Sequence, residues 1–223
     1  MLQAILFDID GTLVDSNDFH VLAWAEAFKQ AGHELRLATI HDQVGQGGDN
    51  LIPALWSDAS PAQVKQLERA HHDLFQRHYA RRVRPFPGAR DLLRRCREAG
   101  YAVVLASSAS AEEVGYNLDH VLDAADLVDA VVSGDEVARS KPAPDVFEVA
   151  LRKIGVAVDD ALVVGDSPFD IEAANAAGLR TIALRSGLFT DEQLAGAMAI
   201  YDDPSDVLAR FDDSPLSRVS ARA

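Results

Sequence analysis

Two aspartates stand one residue apart at the end of the first apolar run of the chain. Residues 7–13 read FDIDGTL, so Asp8 and Asp10 follow a segment typical of a buried strand and precede a glycine turn. Carboxylates that lose water repel each other, and an unpaired buried charge is strongly disfavoured. A divalent cation relieves that repulsion, and Mg²⁺ is typically held by one or two carboxylates with water and a substrate phosphate. The pair therefore predicts a magnesium site for phosphate chemistry, whereas in isolation the same residues would also suit the cap of a turn.

A second acidic pair follows a later apolar run. Residues 164–170 read VGDSPFD, which puts Asp166 at the end of a strand and Asp170 in the first turn of a helix. In a doubly wound sheet the carboxyl ends of the strands share one edge, where ligands bind. Asp166 can therefore converge with Asp8 on one ion. Asp170 has an alternative explanation, since an acid in a first helical turn interacts favourably with the helix dipole.

Two further residues suit the binding of phosphate. Ser107 ends the run at 102–106 and so places a hydroxyl at the same edge of the sheet. Lys141 is one of only four lysines and lies in the proline-stiffened loop SKPAP, where its ammonium can act as a point charge for phosphate. Locally, the serines near Ser107 could be helix caps only, and Lys141 could be a solvated loop residue.

The elements that must position these residues alternate along the chain. Short unalternated runs rich in Val, Ile and Leu are typical of strands buried on both faces of a parallel sheet. They lie at 4–7, 102–106, 130–132, 161–164, 181–184 and 199–201. Helical patterns with capping or glycine stop signals lie at 88–99, 110–121, 144–154 and 170–177. Ser110 and Glu113 form the capping box of the second of these. The alternation predicts an α/β fold with a parallel sheet.

A helical insertion interrupts this alternation after the first strand. Four helical patterns, at 17–31, 39–44, 49–56 and 60–82, follow one another without a strand. We expect a catalytic core formed by residues 1–14 and 86–223, and a helical cap domain formed by residues 15–85. The tail at 212–223 has no periodicity and is predicted to be mobile.

With these four motifs in order, the sequence resembles the haloacid dehalogenase superfamily. The matching residues are the DIDGT motif at 8–12, Ser107, Lys141, and Asp166 with Asp170. The insertion, together with the stretch through His20 and Trp24, is similar to the branch that contains phosphoglycolate phosphatase and beta-phosphoglucomutase. The resemblance implies a Rossmann-like core of five or six parallel strands under a mobile four-helix cap.

The resemblance also implies a mechanism and a set of roles. Asp8 would attack the phosphoryl group to form an aspartyl-phosphate, and Asp10 would protonate the leaving oxygen and later activate water. Mg²⁺ would be held by Asp8, the carbonyl of Asp10 and Asp166, with Asp170 in the outer coordination sphere. Ser107 and Lys141 would bind the phosphate, and His20 is a candidate for contact with the substrate.

Several alternatives to this phosphatase remain. Dehalogenase members lack an acid at the position of Asp10, so Asp10 favours phosphoryl chemistry. Mutases of this branch typically carry an arginine in the cap loop, whereas residues 44–49 read VGQGGD; this favours a hydrolase, with phosphoglycolate favoured over a hexose phosphate. A receiver-type phosphoacceptor module, which needs neither Asp10 nor a cap, is a remote alternative. His71, His72 and His78 are interpreted as a solvated helix face.

Composition limits the partners. The formal net charge is −14, from 35 acidic and 21 basic residues, so binding to nucleic acid or to an anionic membrane is not expected. The single cysteine, Cys96, cannot form an internal disulfide. No leader and no membrane-spanning run is apparent, so we expect a cytoplasmic protein whose partner is a small phosphorylated metabolite. The sequence does not decide between a monomer and a dimer.

Overall fold

The computed structural model describes residues 1–217. Within them the strands are β1 (Ala4–Phe7), β2 (Val14–Asp15), β3 (Arg84–Pro85), β4 (Ala102–Ala106), β5 (Ala130–Val132), β6 (Ala161–Gly165), β7 (Arg180–Leu184) and β8 (Ala199–Tyr201). Six of these strands form one parallel sheet in the order β5-β4-β1-β6-β7-β8. This confirms the α/β class with a parallel sheet.

The first strand occupies the centre of the sheet. Phe7 is in register with Leu105 of β4 on one side and with Val164 of β6 on the other. The chain therefore moves outward from β1 through β4 and β5 and returns to the opposite side of β1 with β6. This reversal opens a crevice at the carboxyl ends of β1, β4 and β6, where α/β sheets bind ligands.

The α-helices of residues 1–217 are α1 (Asn17–Gln30), α2 (Leu37–His41), α3 (Gly48–Leu55), α4 (Pro61–His78), α5 (Ala89–Glu98), α6 (Ala111–Tyr116), α7 (Asp145–Ile154), α8 (Pro168–Ala176) and α9 (Pro204–Ala209). Helices α5, α7, α8 and α9 cover the two faces of the sheet. Alternate residues of β1 face opposite layers: Ile5 and Phe7 pack with α5 and α9, whereas Ala4 and Leu6 pack with α7 and α8. Since a buried strand presents apolar side chains on both faces, its sequence shows no alternation.

Helices α1 to α4, here called the helical insertion, lie between β2 and β3. These two short strands pair antiparallel, with Val14 opposite Pro85 and Asp15 opposite Arg84, so the chain enters and leaves the insertion side by side. The insertion has its own apolar cluster, which includes Trp24, Phe28, Leu51, Ile52 and Leu67. Its longest helix, α4, begins with a capping box formed by Ser60 and Gln63.

The end of the chain differs from the sequence prediction. The prediction of a mobile tail is wrong for residues 212–217, because Phe211–Asp213 form a helical turn and Leu216 is fully buried. The Tyr101 hydroxyl donates to the Leu216 carbonyl at 2.6 Å, which ties this segment to the core. Residues 218–223 of the predicted tail lie outside the described residues. Throughout residues 1–217, the helices are too short or too polar to cross a membrane.

Candidate active site

Three predicted aspartates meet at the carboxyl edge of the sheet. Asp8 directly follows β1, Asp166 directly follows β6, and Asp170 lies in the first turn of α8. Carboxylate oxygens of all three lie within 4.8 Å of one another, and all three side chains are buried. The fold therefore concentrates three acids, two of them more than 150 positions from the first, in a space that could hold a metal ion.

Asp166 is held in place by polar donors and by glycine. Thr12 Oγ1 donates to Asp166 Oδ1 at 2.8 Å, and Asn17 Nδ2 donates to Asp166 Oδ2 at 3.0 Å. A Cβ atom added at Gly11 or at Gly187 would lie 2.2 or 2.0 Å from Asp166 Oδ2. The backbone thus packs directly against this carboxylate, and only glycine fits at the two positions.

Lys141 lies between two of the acids and is fully buried. Its ammonium donates to Asp8 Oδ1 and, at 3.1 Å, to the carbonyl of Ala106, and it lies 2.7 Å from Asp170 Oδ1. Asp170 also accepts hydrogen bonds from the backbone N–H of Ser167 at 3.1 Å and from its hydroxyl at 2.6 Å. Lys141 is therefore not a solvated loop residue.

The cluster carries more negative than positive charge, and the pKa values of two of its carboxyl groups are raised. Burial raises the pKa of Asp8 to about 7; Lys141 opposes the rise, while Asp170 and Asp10 add to it. Burial, together with the charges of Asp170 and Asp8, also raises the pKa of Asp166 well above its usual range. One ammonium does not compensate three buried carboxylates. Oxygen donors that remain uncompensated in this way fit a hard divalent cation such as Mg²⁺.

Asp10 belongs to a second cluster, which it forms with His20 and Glu113. Its Oδ1 accepts from the Ser16 hydroxyl at 2.6 Å and lies 3.4 Å from His20 Nε2, which is also 3.2 Å from Glu113 Oε1. Burial would raise the pKa of Asp10, but the hydrogen bond and charge of His20 and the bond from Ser16 lower it. Burial opposes the charge on His20, but Glu113 and Asp10 raise the pKa of His20 to about 10. Near neutral pH, Asp10 is therefore ionised and His20 is protonated.

The insertion supplies aromatic rings around His20. The His20 ring stacks on Phe75 at 4.0 Å between centroids, and its Nδ1 lies 3.3 Å from His71 Nε2. His71 in turn stacks on Trp24 at 4.0 Å. Burial and the charge of His20 lower the pKa of His71, so its neutral ring can accept a hydrogen bond from His20. The interpretation of His71 as part of a solvated helix face is wrong.

A cleft of about 450 Å³ lies between the insertion and the sheet edge. Four predicted site residues line it: Asp8, Asp10, His20 and Ser107. Lys141, Asp166 and Asp170 are buried and are not among its lining residues. The insertion side of the cleft is formed by residues 44–49 and by side chains of α1 and α4, including Trp24 and Glu68.

The insertion contacts the core through two sets of polar contacts. Asn50 Nδ2 donates to Ser140 Oγ at 3.1 Å and to the carbonyl of Lys141 at 3.1 Å. In the second set, His41 Nε2 lies 3.0 Å from the Gly187 carbonyl. Both contacts join the insertion to loops that carry or flank the acidic cluster.

Several residues of this site were not predicted from the sequence. They are Thr12, Asn17, Asn50, Glu68, His71 and Glu113. Thr12 belongs to the DIDGT motif, although no role was predicted for it, and Asn17 follows the motif closely; this position in the sequence was the available signal. Glu113 was predicted to complete a capping box; its N–H does donate to Ser110, at 3.3 Å, but its carboxylate turns towards His20 instead.

Comparison with known proteins identifies the family. Residues 5–184 match the family of haloacid dehalogenase-like hydrolases. The chain belongs to this family. A phosphoglycolate phosphatase from Nitrosospira multiformis is 31% identical over 192 residues, which are 83% of this chain and 84% of that protein. A hydrolase from Pseudomonas syringae shares the fold with a TM-score of 0.88 and 31% identity, covering 95% of this chain and 98% of that one.

One relative is much longer than this chain. The chloroplastic protein SUPPRESSOR OF QUENCHING 1 from Arabidopsis thaliana is 33% identical over 212 residues, which cover 91% of this chain but 20% of that protein. The chain thus spans about a fifth of that protein's length. The resemblance seen in the sequence is confirmed, and the chain is a phosphatase of the haloacid dehalogenase-like family.

Proposed function

We propose that this chain is a magnesium-dependent phosphomonoester hydrolase that acts on a small phosphorylated metabolite through an aspartyl-phosphate. The observation that carries the proposal is the convergence of Asp8, Asp166, Asp170 and Lys141 at the sheet edge beside the cleft. Among these acids Asp8 alone both belongs to the acidic cluster and lines the cleft. Asp8 is therefore the carboxylate that a substrate phosphate can reach.

In the first step, an oxygen of Asp8 attacks phosphorus, and the bond from phosphorus to the leaving oxygen breaks. Lys141 and the hydroxyl of Ser107 bind the phosphoryl oxygens. Since His20 is protonated and Asp10 is ionised, His20 passes its proton to Asp10 across their contact, and Asp10 delivers that proton to the leaving oxygen. The products are an alcohol and the phosphorylated Asp8, so one difficult displacement is divided into two easier ones.

In the second step, Asp10 removes a proton from water as the water oxygen attacks phosphorus. The bond between phosphorus and Asp8 breaks, and inorganic phosphate leaves with the Asp8 carboxylate restored. His20 and Ser16 hold the carboxylate of Asp10 at the cleft in both steps. Chemistry of this kind depends on positioning and on charge stabilisation, which a few fixed residues can provide.

The proposed cation fits the residues present. Asp8, Asp166 and the carbonyl of Asp10 would hold Mg²⁺, with Asp170 outside the first ring of ligands, as the resemblance implies. When bound, Mg²⁺ would neutralise the excess negative charge and polarise the phosphoryl group. Thr12, Asn17 and the two glycines that flank Asp166 fix the orientation of that carboxylate. The proposed location is the cytoplasm, since the buried free thiol of Cys96 needs no oxidising compartment.

The residues that line the cleft favour the hydrolase over the mutase alternative. A mutase must bind a second phosphate on the cap side of the cleft. Within residues 1–217, the side chains that line the cleft include neither lysine nor arginine. Incubation with beta-glucose 1-phosphate and a trace of the bisphosphate would detect a mutase by formation of glucose 6-phosphate faster than free phosphate.

A phosphate-release screen tests the hydrolase proposal. Wild-type protein would be assayed against phosphorylated metabolites and p-nitrophenyl phosphate, with Mg²⁺ and with excess chelator. We expect the wild-type protein to release phosphate with Mg²⁺ but not with excess chelator, and we expect Asp166→Asn to release none in either condition. Full activity under chelation, or activity equal to wild type in Asp166→Asn, would contradict the proposal.

A further inference from the structure

The insertion side of the cleft is acidic where it faces the phosphate site. Asp49 of α3 and Glu68 of α4 both line the cleft, opposite Asp8 and Ser107. As noted, the cleft-lining side chains within residues 1–217 include neither lysine nor arginine. The part of a substrate that extends away from its phosphate therefore meets carboxylates.

Of these two acids, Asp49 is already engaged by the core. It accepts from the hydroxyl of Ser140, and its second oxygen lies 3.4 Å from the Ser140 backbone nitrogen. Asp49 thus helps to hold the insertion against the loop that carries Lys141. Asp49 therefore contributes negative charge to the cleft, but its oxygens are not free to accept a hydrogen bond from a substrate.

Glu68, by contrast, has no hydrogen bond or ion pair to any residue between 1 and 217. Its side chain is partly buried and reaches over the glycine-containing loop: a Cβ atom at Gly48 would lie 3.1 Å from Glu68 Oε1 and 3.2 Å from the Trp24 ring. Burial and the charge of Asp49 raise the pKa of Glu68, and Lys65, an exposed residue one helical turn away, opposes them. Glu68 is therefore a partly buried acceptor beside an aromatic surface.

The protonated imidazole in the cleft is not available to a second anion. His20 already faces two carboxylates, those of Asp10 and Glu113, and its other nitrogen faces His71. An anionic group at the far end of a substrate would therefore lie against Glu68 and Asp49 without a lysine or arginine partner. Like-charge juxtaposition in a partly desolvated cleft is strongly unfavourable.

We propose that Glu68 determines specificity, selecting phosphomonoesters whose leaving group carries hydroxyl or other hydrogen-bond donors and no negative charge. Glu68 accepts a hydrogen bond from such a donor, and the stacked rings of Trp24 and His71 pack against the carbon chain. Carboxylate-terminated and bisphosphorylated compounds are rejected. The inference rests on the proposed phosphatase function, and it departs from the expectation that phosphoglycolate is the substrate.

Matched pairs of phosphate esters test this inference. Glycerol 3-phosphate and 3-phosphoglycerate differ at one terminal carbon, as do sorbitol 6-phosphate and 6-phosphogluconate. For at least one pair we expect wild-type kcat/KM to favour the alcohol by about tenfold or more, mainly through KM, because the negative charges of Glu68 and Asp49 in the cleft oppose binding of the acid. Glu68→Gln should narrow this ratio, and Glu68→Lys should shift it towards the acid. Glu98→Lys, the same change at an exposed position of α5, is the matched control and should leave the ratio unchanged.

The outcomes separate the inference from the function on which it rests. The leaving group of p-nitrophenyl phosphate carries no hydrogen-bond donor for Glu68, so we expect Glu68→Gln to hydrolyse this ester at nearly the wild-type rate. If wild type hydrolyses p-nitrophenyl phosphate with Mg²⁺ but prefers the acid of each matched pair, the specificity inference is wrong and the hydrolase proposal is retained. The same conclusion follows if Glu68→Lys leaves the ratios of kcat/KM between alcohol and acid unchanged. If wild type releases phosphate from no ester, both fail.

Discussion

The ammonium of Lys141 contacts the carboxylate of Asp8 across 133 positions of sequence, and both side chains are shielded from solvent. The same ammonium lies 2.7 Å from Asp170. Lys141 is thus the cation about which the acidic cluster is arranged. Its removal would leave buried carboxylates that only protonation or a metal ion could compensate.

We expect Lys141→Met to lower the free energy of unfolding by about 3 kcal/mol in metal-free buffer at pH 8, because breaking a buried ion pair strands the remaining charges. Mg²⁺ should restore part of this loss. Urea unfolding with and without Mg²⁺ measures both effects. Lys29→Met, at an exposed position of α1, is the control. Equal unfolding midpoints for the two variants without metal would show that Lys141 does not compensate the cluster.

The charge on His20 predicts how stability depends on pH. Its pKa is about 10 in the folded protein against 6.5 for an ordinary histidine, so between these values the folded state binds a proton that the unfolded state lacks. The contribution to stability is complete below pH 6.5 and is lost as pH rises through the folded pKa, at up to about 1.4 kcal/mol per pH unit. The free energies of unfolding of wild type and His20→Asn, measured at pH 6.5, 8 and 9.5, give this contribution as their difference. A difference between the two that is constant over this range would contradict the assignment.

Gly187 offers a test of the packing around Asp166. A methyl group there would lie 2.0 Å from Asp166 Oδ2, so Gly187→Ala should displace the carboxylate. We expect the Mg²⁺ concentration that gives half-maximal activity to rise by about tenfold or more. Gly115→Ala is the control, since a Cβ there meets no atom within 4 Å and should stabilise α6 by up to about 1 kcal/mol. Titration of activity with Mg²⁺ measures the effect. An unchanged midpoint in Gly187→Ala would show that Asp166 is not held as described.

Asn50 joins the insertion to the loop of Lys141, and its loss should favour an open cleft. We expect Asn50→Ala to raise KM several-fold with a smaller change in kcat, and to increase hydrogen exchange in residues 140–143. Opening would occur at the paired strands β2 and β3, within the segments 14–16 and 84–87. Asn175→Ala, on the exposed side of α8, is the control. Unchanged KM and exchange in Asn50→Ala would argue that the contact does not control closure.

Much of the fold could be predicted because buried parallel strands and capped helices leave strong local patterns. The six sheet strands and the four insertion helices lie within a few residues of the predicted ranges. The convergence of Asp8 and Asp166 followed from the rule that parallel strands end at one edge. These predictions depend on periodicity and topology, which a single sequence records.

The directions and contacts of individual side chains could not be predicted from the sequence. Lys141 lies in a proline-rich loop that resembles a solvated one, yet the fold buries it completely. His71 lies on a polar helix, but its ring stacks on Trp24 of another helix. Glu113 is a suitable capping residue whose carboxylate instead contacts His20. In each case a partner distant in sequence outweighs the local preference.

Trapping of the phosphoenzyme tests the central claim most directly. Wild-type protein would be mixed with a substrate found in the screen and Mg²⁺, quenched in acid before the steady state, and its peptides examined by mass spectrometry. We expect one added phosphoryl group on the peptide that contains Asp8, sensitive to hydroxylamine, and none in Asp8→Asn, which should fold normally and show no turnover. A phosphoryl group on another residue, or steady-state turnover by Asp8→Asn, would contradict the assignment of Asp8 as the nucleophile.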